Sequence, residues 1–194
     1  PETTYTGMNE GNYPRALLDR WQDYVSKEEY KNATHLHRAF QTISSDNGYT
    51  WSDPEHGTDS IHGGIHLANG SLLVASYRKH PEKLAIYTTP NPETPWDHIA
   101  TLQAPPEVSD KIRFGEPHVL QLPSGRIILM TRATAKPYND QSPLCKLWGS
   151  YSDDNGKTWA PPYETPLWGF PPHLTLLSDD RVMVTYGHRR PPYG

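Results

Sequence analysis

The sequence predicts an all-β fold of short repeated antiparallel sheets, a segment of a β-propeller. Three observations carry that prediction. An eight-residue pattern, Ser-x-Asp-Asn-Gly-x-Thr-Trp, occurs at Ser44–Trp51 and again at Ser152–Trp159, 108 positions later. A strand-turn-strand element occurs three times at an offset of 55 residues, and twice that offset is close to the spacing of the two patterns. The 194 residues include 20 Pro, 14 Gly, 12 Tyr and 6 Trp, a composition rich in turn formers and strand-favouring aromatics. A period near 55 with four short strands per unit is that of propeller blades.

Taken in order, residues 1–33 form a helical or irregular segment. Leu17, Leu18, Trp21, Tyr24 and Val25 fall at helical spacing with Pro14 near the first turn, which predicts an amphipathic helix from about Pro14 to Tyr30. Residues 34–194 form the blades. Residues 34–54 supply the two outer strands of one blade, 60–104 and 114–165 are two full blades, and 171–190 are the first two strands of another. The repeated hairpins are Ile65–Ser76, Leu120–Thr131 and Thr175–Tyr186, with two-residue turns at Asn69-Gly70, Ser124-Gly125 and Asp179-Asp180. The middle unit keeps a worn copy of the eight-residue pattern, from Thr89 through Asn91 and Glu93 to Trp96. The tally is about three blades of strands, which cannot close a ring and leaves edges unpaired. Either the chain is a piece of a six-bladed protein, the favoured reading because a further strand should follow Pro191–Gly194, or two copies complete one another as a homodimer through the open edges.

The eight-residue pattern is built for a turn. Asp46 and Asp154 accept backbone N–H groups, Gly48 and Gly156 supply positive φ, and Ser44 and Ser152 add a hydroxyl bond. Trp51 and Trp159 bring a large ring suited to wedging between sheets. None of these is a nucleophile, acid or metal ligand set, so the pattern reads as a structural staple.

The net charge of −4 provides no basic field, so nucleic acid is not an expected partner. Apolar runs such as Ile127–Met130 are far too short to span a bilayer. The one cysteine, Cys145, forbids an internal disulfide framework and lies among Leu144, Leu147 and Trp148, which predicts a buried thiol. His35 and His37 alternate on one strand, too weak a pattern for a metal site; neither metal nor cofactor is expected.

The doubled pattern is the Asp-box, or bacterial neuraminidase repeat, and over residues 34–194 the chain resembles the sialidase superfamily. A second match is carried by Gly115, Glu116, Pro117, His118, Leu120, Leu122, Ser124, Gly125, Ile127 and Arg132. It resembles the family segment Glu-x-x-x-Val-x-Leu-x-Asp-Gly-x-Leu-x-x-x-x-Arg: Glu116 precedes Gly125 by nine residues and Arg132 by sixteen. Leu120 and Ser124 replace the family's Val and Asp. The resemblance implies that Glu116 acts on a Tyr nucleophile and that Arg132 belongs to a triad clamping a substrate carboxylate. It thus implies an exo-sialidase-like glycoside hydrolase, retaining, acting on a terminal acidic sugar as part of a larger or dimeric propeller. It also implies a secreted or periplasmic protein, although no signal peptide is legible in the first ten residues and the compartment stays open. The family's Arg-Ile-Pro is absent, the corresponding segment reading His62-Gly63-Gly64-Ile65-His66. No Asp or Tyr matches the acid/base or nucleophile by motif, Tyr138, Tyr186 and Tyr193 being candidates by type alone. The alternative is a non-catalytic propeller that binds glycans or proteins.

The repeat register places further candidates. Gly63, His118 and His173 are equivalent positions at the start of inner strands, with His62 beside the first. Arg78, Arg132, Arg189 and Arg190 lie at the ends of the second strands. A ring of His and Arg around one mouth suits an acidic or polyhydroxyl sugar. With Ser124-Gly125 as a two-residue turn, Pro117 falls opposite Arg132, so Glu116 and Arg132 share one hairpin end and meet only if a bulge or a strand-end twist turns one of them.

Overall fold

The computed structural model describes residues 15, 16, 19, 20, 23, 39–77, 83–139 and 141–188. The chain divides into two compact units, Pro1–Arg38 and Ala39–Gly194. In the first, Arg15, Ala16, Asp19, Arg20 and Asp23 are helical and exposed, and Arg15 Nε donates to Asp19 Oδ1 at 3.0 Å, one turn along. Leu17, Leu18, Trp21, Tyr24 and Val25, the apolar face of the expected helix, lie outside the described residues.

The second unit is all-β, with four antiparallel sheets that do not close on one another. Strands β1 (Phe40–Gln41) and β2 (Glu55–His56) pair alone. Strands β3 (Ile65–His66), β4 (Leu72–Ser76), β5 (Lys83–Thr89) and β6 (Asp97–Gln103) form an up-and-down sheet in chain order. Strands β7 (Ile112–Gln121), β8 (Ile127–Ala135), β9 (Lys146–Ser152) and β10 (Tyr163–Trp168) repeat it, and β11 (His173–Leu176) with β12 (Val182–Thr185) ends the series. Among the described residues no helix is long and apolar enough to cross a membrane.

The main core lies between the two four-stranded sheets. Leu73, Leu84 and Ile86 meet Phe114, Val119, Ile127 and Leu129, all nearly free of solvent contact. A second cluster gathers Ala135, Cys145, Trp168 and Phe170. Cys145 is buried there, as its neighbours predicted, although Leu144 is 36% exposed.

The hairpin turns correct the expected register. Leu122 N–H donates to Arg126 O at 2.8 Å and Gly125 N–H to Leu122 O at 2.9 Å, so residues 123–125 form a three-residue loop rather than a two-residue turn. The same pair of bonds closes Leu67–Ser71 and Leu177–Arg181. The third loop position is left-handed in each, with φ of 87° at Gly70, 89° at Gly125 and 64° at Asp180, the geometry of a type I turn followed by a left-handed residue. Asp tolerates that conformation where most side chains do not. The longer loop moves the pairs of β7 and β8 next to it by one residue, so Gln121 pairs with Ile127 and His118 with Met130, and the pairs from Gly115 to Ile112 are moved by one more.

Both Asp-boxes close by the same bonds. Ser44 Oγ donates to Asp46 Oδ1 at 2.8 Å and accepts Gly48 N–H at 2.7 Å. Asp46 accepts Thr50 N–H at 2.9 Å and the Thr50 hydroxyl at 2.6 Å, and Trp51 Nε1 donates to Gly48 O at 3.2 Å. Ser152, Asp154, Gly156, Thr158 and Trp159 repeat the set. Asn47 and Gly48 have φ of 61° and 90°, and Asn155 and Gly156 have 60° and 86°. Two successive positive φ values explain the shared Asn-Gly.

The boxes differ in what they touch. Trp159 packs against the main core, and a Cβ at Gly156 would collide with Leu73 Cδ1. Trp51 is 63% and Tyr49 87% exposed, and a Cβ at Gly48 would meet only Trp51, at 3.8 Å. Both glycines carry the same left-handed penalty, so their alanine variants isolate the packing term. Gly156→Ala is expected to lose about 1 kcal/mol or more beyond Gly48→Ala in denaturant titrations; equal losses would show that the second box is not wedged against Leu73.

The box carboxylates also set an acid limit. Asp46 and Asp154 are lowered from 3.8 to about 2, first by the Thr50 and Thr158 hydroxyls and then by those residues' N–H groups. A pKa lowered by folding adds stability that is complete above the unfolded value and is lost as pH falls through the folded one. The melting temperature should drop between pH 3.8 and about 2, and Asp154→Asn should flatten that slope; an unchanged slope would contradict the assignment.

Candidate functional site

The site is built at the far end of the β7–β8 hairpin from its turn. Gly115 pairs with Arg132 and His118 with Met130, so Glu116 and Pro117 together oppose Thr131 in a β-bulge. Pro117 has no N–H to give to a ladder, which suits it to a bulge. Glu116 takes φ of 51°, a left-handed conformation disfavoured for a bulky side chain before proline. Such a residue stores about 1–3 kcal/mol of strain and persists only where its surroundings hold it. Here Thr131 Oγ1 donates to Gly115 O at 2.8 Å, and Pro117 is fully buried.

The bulge turns Glu116 toward Arg132. Arg132 Nη1 donates to Oε1 at 3.2 Å and to Oε2 at 3.1 Å. The expected meeting of these side chains is present, but by a different register: Gly115, not Pro117, lies opposite Arg132. The Arg132 guanidinium also stacks over Phe170 at 3.6 Å, and its side chain is 12% exposed against 21% for Glu116.

A pocket of about 390 Å³ opens over the pair, lined by Tyr77, Arg113, Phe114, Gly115, Glu116, Arg132, Thr134 and Tyr138. Opposite residues of an antiparallel pair share a face. The pairs Arg113–Thr134 and Gly115–Arg132 therefore put Arg113, Thr134 and Arg132 on one face, with Gly115 leaving room between them.

Beside it, three histidines converge, His118 from β7, His173 from β11 and His62 from the bend ahead of β3. His118 stacks on His173 with centroids 4.3 Å apart, and His62 lies 5.0 and 5.6 Å from them. Leu174 N–H donates to His118 Nδ1 at 2.7 Å, so this nitrogen carries a lone pair and the ring proton sits on Nε2. Burial, followed by His173 and His62, pushes His118 down to about 4. His62 is lowered by burial and by His173, against a weaker opposing pull from Glu116. Among the described residues no His, Cys, Asp or Glu group is arranged to hold a metal ion.

Of the residues picked from sequence, Glu116 and Arg132 line the pocket, and His62, His118 and His173 form the adjoining trio. Arg78, Arg189 and Arg190 lie outside the described residues. No Asp-box residue lines this pocket. Sequence reasoning missed Tyr77, Arg113, Thr134 and Phe170 as site residues, and gave Tyr138 no motif. Strand alternation counted back from Glu116 reaches Phe114, not Arg113, because the bulge shifts the phase and puts Arg113 in step with Gly115; nothing local marks Phe170.

The profile of the BNR repeat-like domain family matches residues 22–190. Among solved structures, the chain resembles a protein of unknown function from Dyadobacter fermentans, with TM-score 0.63 and 22% identity over 80% of this chain and 46% of that one. It also resembles an α-L-arabinanase from Penicillium chrysogenum, with TM-score 0.54 and 20% identity over 77% and 49%. A sialidase from Streptococcus pneumoniae aligns with TM-score 0.49 and 17% identity over 66% and 19%. The chain thus spans less than half of each of these proteins. A search of curated proteins gives no match.

The buried His118 imposes its own pH dependence. The unfolded imidazole binds a proton near 6.5 and the folded one only at about 4, so stability is full above 6.5 and falls as pH drops between those values. Melting temperatures of His118→Gln should vary less than those of the parent across that window; a parallel pair of curves would overturn the account.

Proposed function

The chain belongs to the BNR repeat-like domain family, and on that premise we propose that it carries part of the sugar site of an exo-sialidase-like, retaining glycoside hydrolase. The observation that carries the reading is the strained bulge. It holds the Glu116 carboxylate on Arg132 inside a pocket of monosaccharide scale, about 390 Å³. Strain at a non-glycine residue is retained where function needs the geometry. Tyr77, Phe114 and Tyr138 supply apolar surface and Arg113, Glu116 and Thr134 supply polar groups, the balance of a small-ligand pocket. Glu116 is the base toward a tyrosine nucleophile, and Arg132 holds that carboxylate in position. His62, His118 and His173 wall the neighbouring side.

In this reading the sheets are consecutive blades of a six-bladed propeller, with residues 34–194 as blades and 1–33 an appended segment. Exposed Trp51 and Met183, at 63% and 42%, mark faces that further blades cover, drawn from more of the same protein or from a second copy.

A second reading has its own support. Glu116 is the only carboxylate lining the pocket among the described residues, whereas hydrolysis needs an acid as well as a base. A non-catalytic glycan-binding propeller needs only the cradle.

Turnover of a fluorogenic α-sialoside by the completed propeller, with its further blades present, discriminates the two. Glu116→Gln should lower kcat by about 10²–10⁴-fold with little change in sugar affinity. Tight binding without turnover in the parent protein would establish the second reading and overturn the first.

A further inference from the structure

We propose that Arg113 is the residue that takes the anionic group of the ligand, a carboxylate or sulfate carried on a pyranose. The inference rests on the carbohydrate reading above and goes beyond it by moving the charge recognition from Arg132 to a different strand.

Arg132 is engaged at Nη1, and its Nε is buried without a hydrogen-bond partner. Its Nη1 bonds both oxygens of Glu116, its plane lies on Phe170 at 3.6 Å, and its side chain is 12% exposed. The pair is close to neutral as seen from the pocket, so it offers an arriving anion little net attraction. Drawing Arg132 away would also leave Glu116 partly buried without its partner, which is costly. Arg132 is therefore a positioning residue for Glu116.

Arg113 has the opposite character. It lines the same pocket, is exposed, and has no ion pair among the described residues. It lies on the face shared by Thr134 and Arg132 and is separated from Arg132 by Gly115, over which the Tyr77 ring lies, 3.6 Å from where a Cβ would sit. Its strand end is basic: Lys136 N–H donates to Lys111 O at 2.7 Å, bringing two lysines to the next positions of the ladder. A planar guanidinium with free donors grips carboxylate or sulfate oxygens in a fork. Thr134 lines the pocket beside it, and the rings of Tyr77 and Tyr138 offer apolar faces to the pyranose. Arg113 thus supplies the uncommitted positive charge and Glu116 the single negative one, at two ends of one cradle.

The test is calorimetric titration of the protein with galactose, galacturonic acid, N-acetylneuraminic acid and galactose 6-sulfate. The parent should bind one or more of the acidic sugars at least about tenfold more tightly than galactose. Whichever of carboxylate or sulfate is preferred identifies the anion. Arg113→Ala should remove that preference while keeping galactose affinity and the melting temperature of the parent. Arg113→Lys should restore only part of it, because an ammonium is a point charge rather than a fork. If Arg113→Ala binds the acidic sugar as the parent does, the proposal falls while the carbohydrate reading stands. If the parent binds none of the four, both fall.

Discussion

Two residues facing one, Glu116 and Pro117 against Thr131, is the constraint on which the site depends. A regular ladder continued from His118–Met130 would also set Glu116 across from Arg132 on one face; what the bulge changes is that Gly115, with no side chain, stands there instead. The inserted residue shifts the pairing so that Gly115 faces Arg132, and the left-handed turn at Glu116 swings its carboxylate onto the guanidinium. The conformation costs about 1–3 kcal/mol. The ion pair at 3.1 Å, the Thr131 hydroxyl bond and the burial of Pro117 act against that cost. Glycine at 115 then leaves the space above Arg132 open, and the pocket is the result.

The sheets around this point depend on the Asp-boxes in a different way. Each box is a self-contained turn whose bonds run within eight residues, so both copies form alike whatever lies next to them. What they stabilise differs. The second box wedges Trp159 against the main core, and Gly156 is required there by space as well as by φ. The first repeats the hydrogen bonds with Trp51 facing solvent. The worn middle copy shows the same logic: Thr89 and Asn91 hold the turn through Asn91 O and Glu93 N–H, while Trp96 Nε1 reaches Gln41 on the first sheet at 2.8 Å. The tryptophan of the middle unit joins neighbouring sheets even where the aspartate is lost.

Much of the fold was legible because its signals are local. Ser-x-Asp-Asn-Gly-x-Thr-Trp specifies its own turn, and the 55-residue offset between hairpins places the strands within a few residues of where they lie. The loop length was misread because a left-handed third residue, Gly125 or Asp180, looks in sequence like the second residue of a tighter turn. That one-residue error carried through the strand to the Pro117–Arg132 pairing. Glu116 and Arg132 were legible through family resemblance, and the histidine trio through repeat register. Phe170 and Tyr77 were not, since they reach the site from loop positions remote in sequence, just past β4 and between β10 and β11.

By itself, the sequence determined the all-β repeat, its period, its staples and the two charged residues of the site. The repeat, its period and its staples follow from backbone preferences of Asn, Asp, Gly and Pro and from strand alternation, which act over a few residues; the two charged residues came through the family resemblance. Only the tertiary structure decided how that charge is used. The bulge sets Glu116 beside Arg132, Phe170 covers the guanidinium from the loop between β10 and β11, and Arg113 is left exposed on the same face. Those outcomes depend on which side chains meet across sheets, where desolvation and packing set the partners, and no local pattern encodes that.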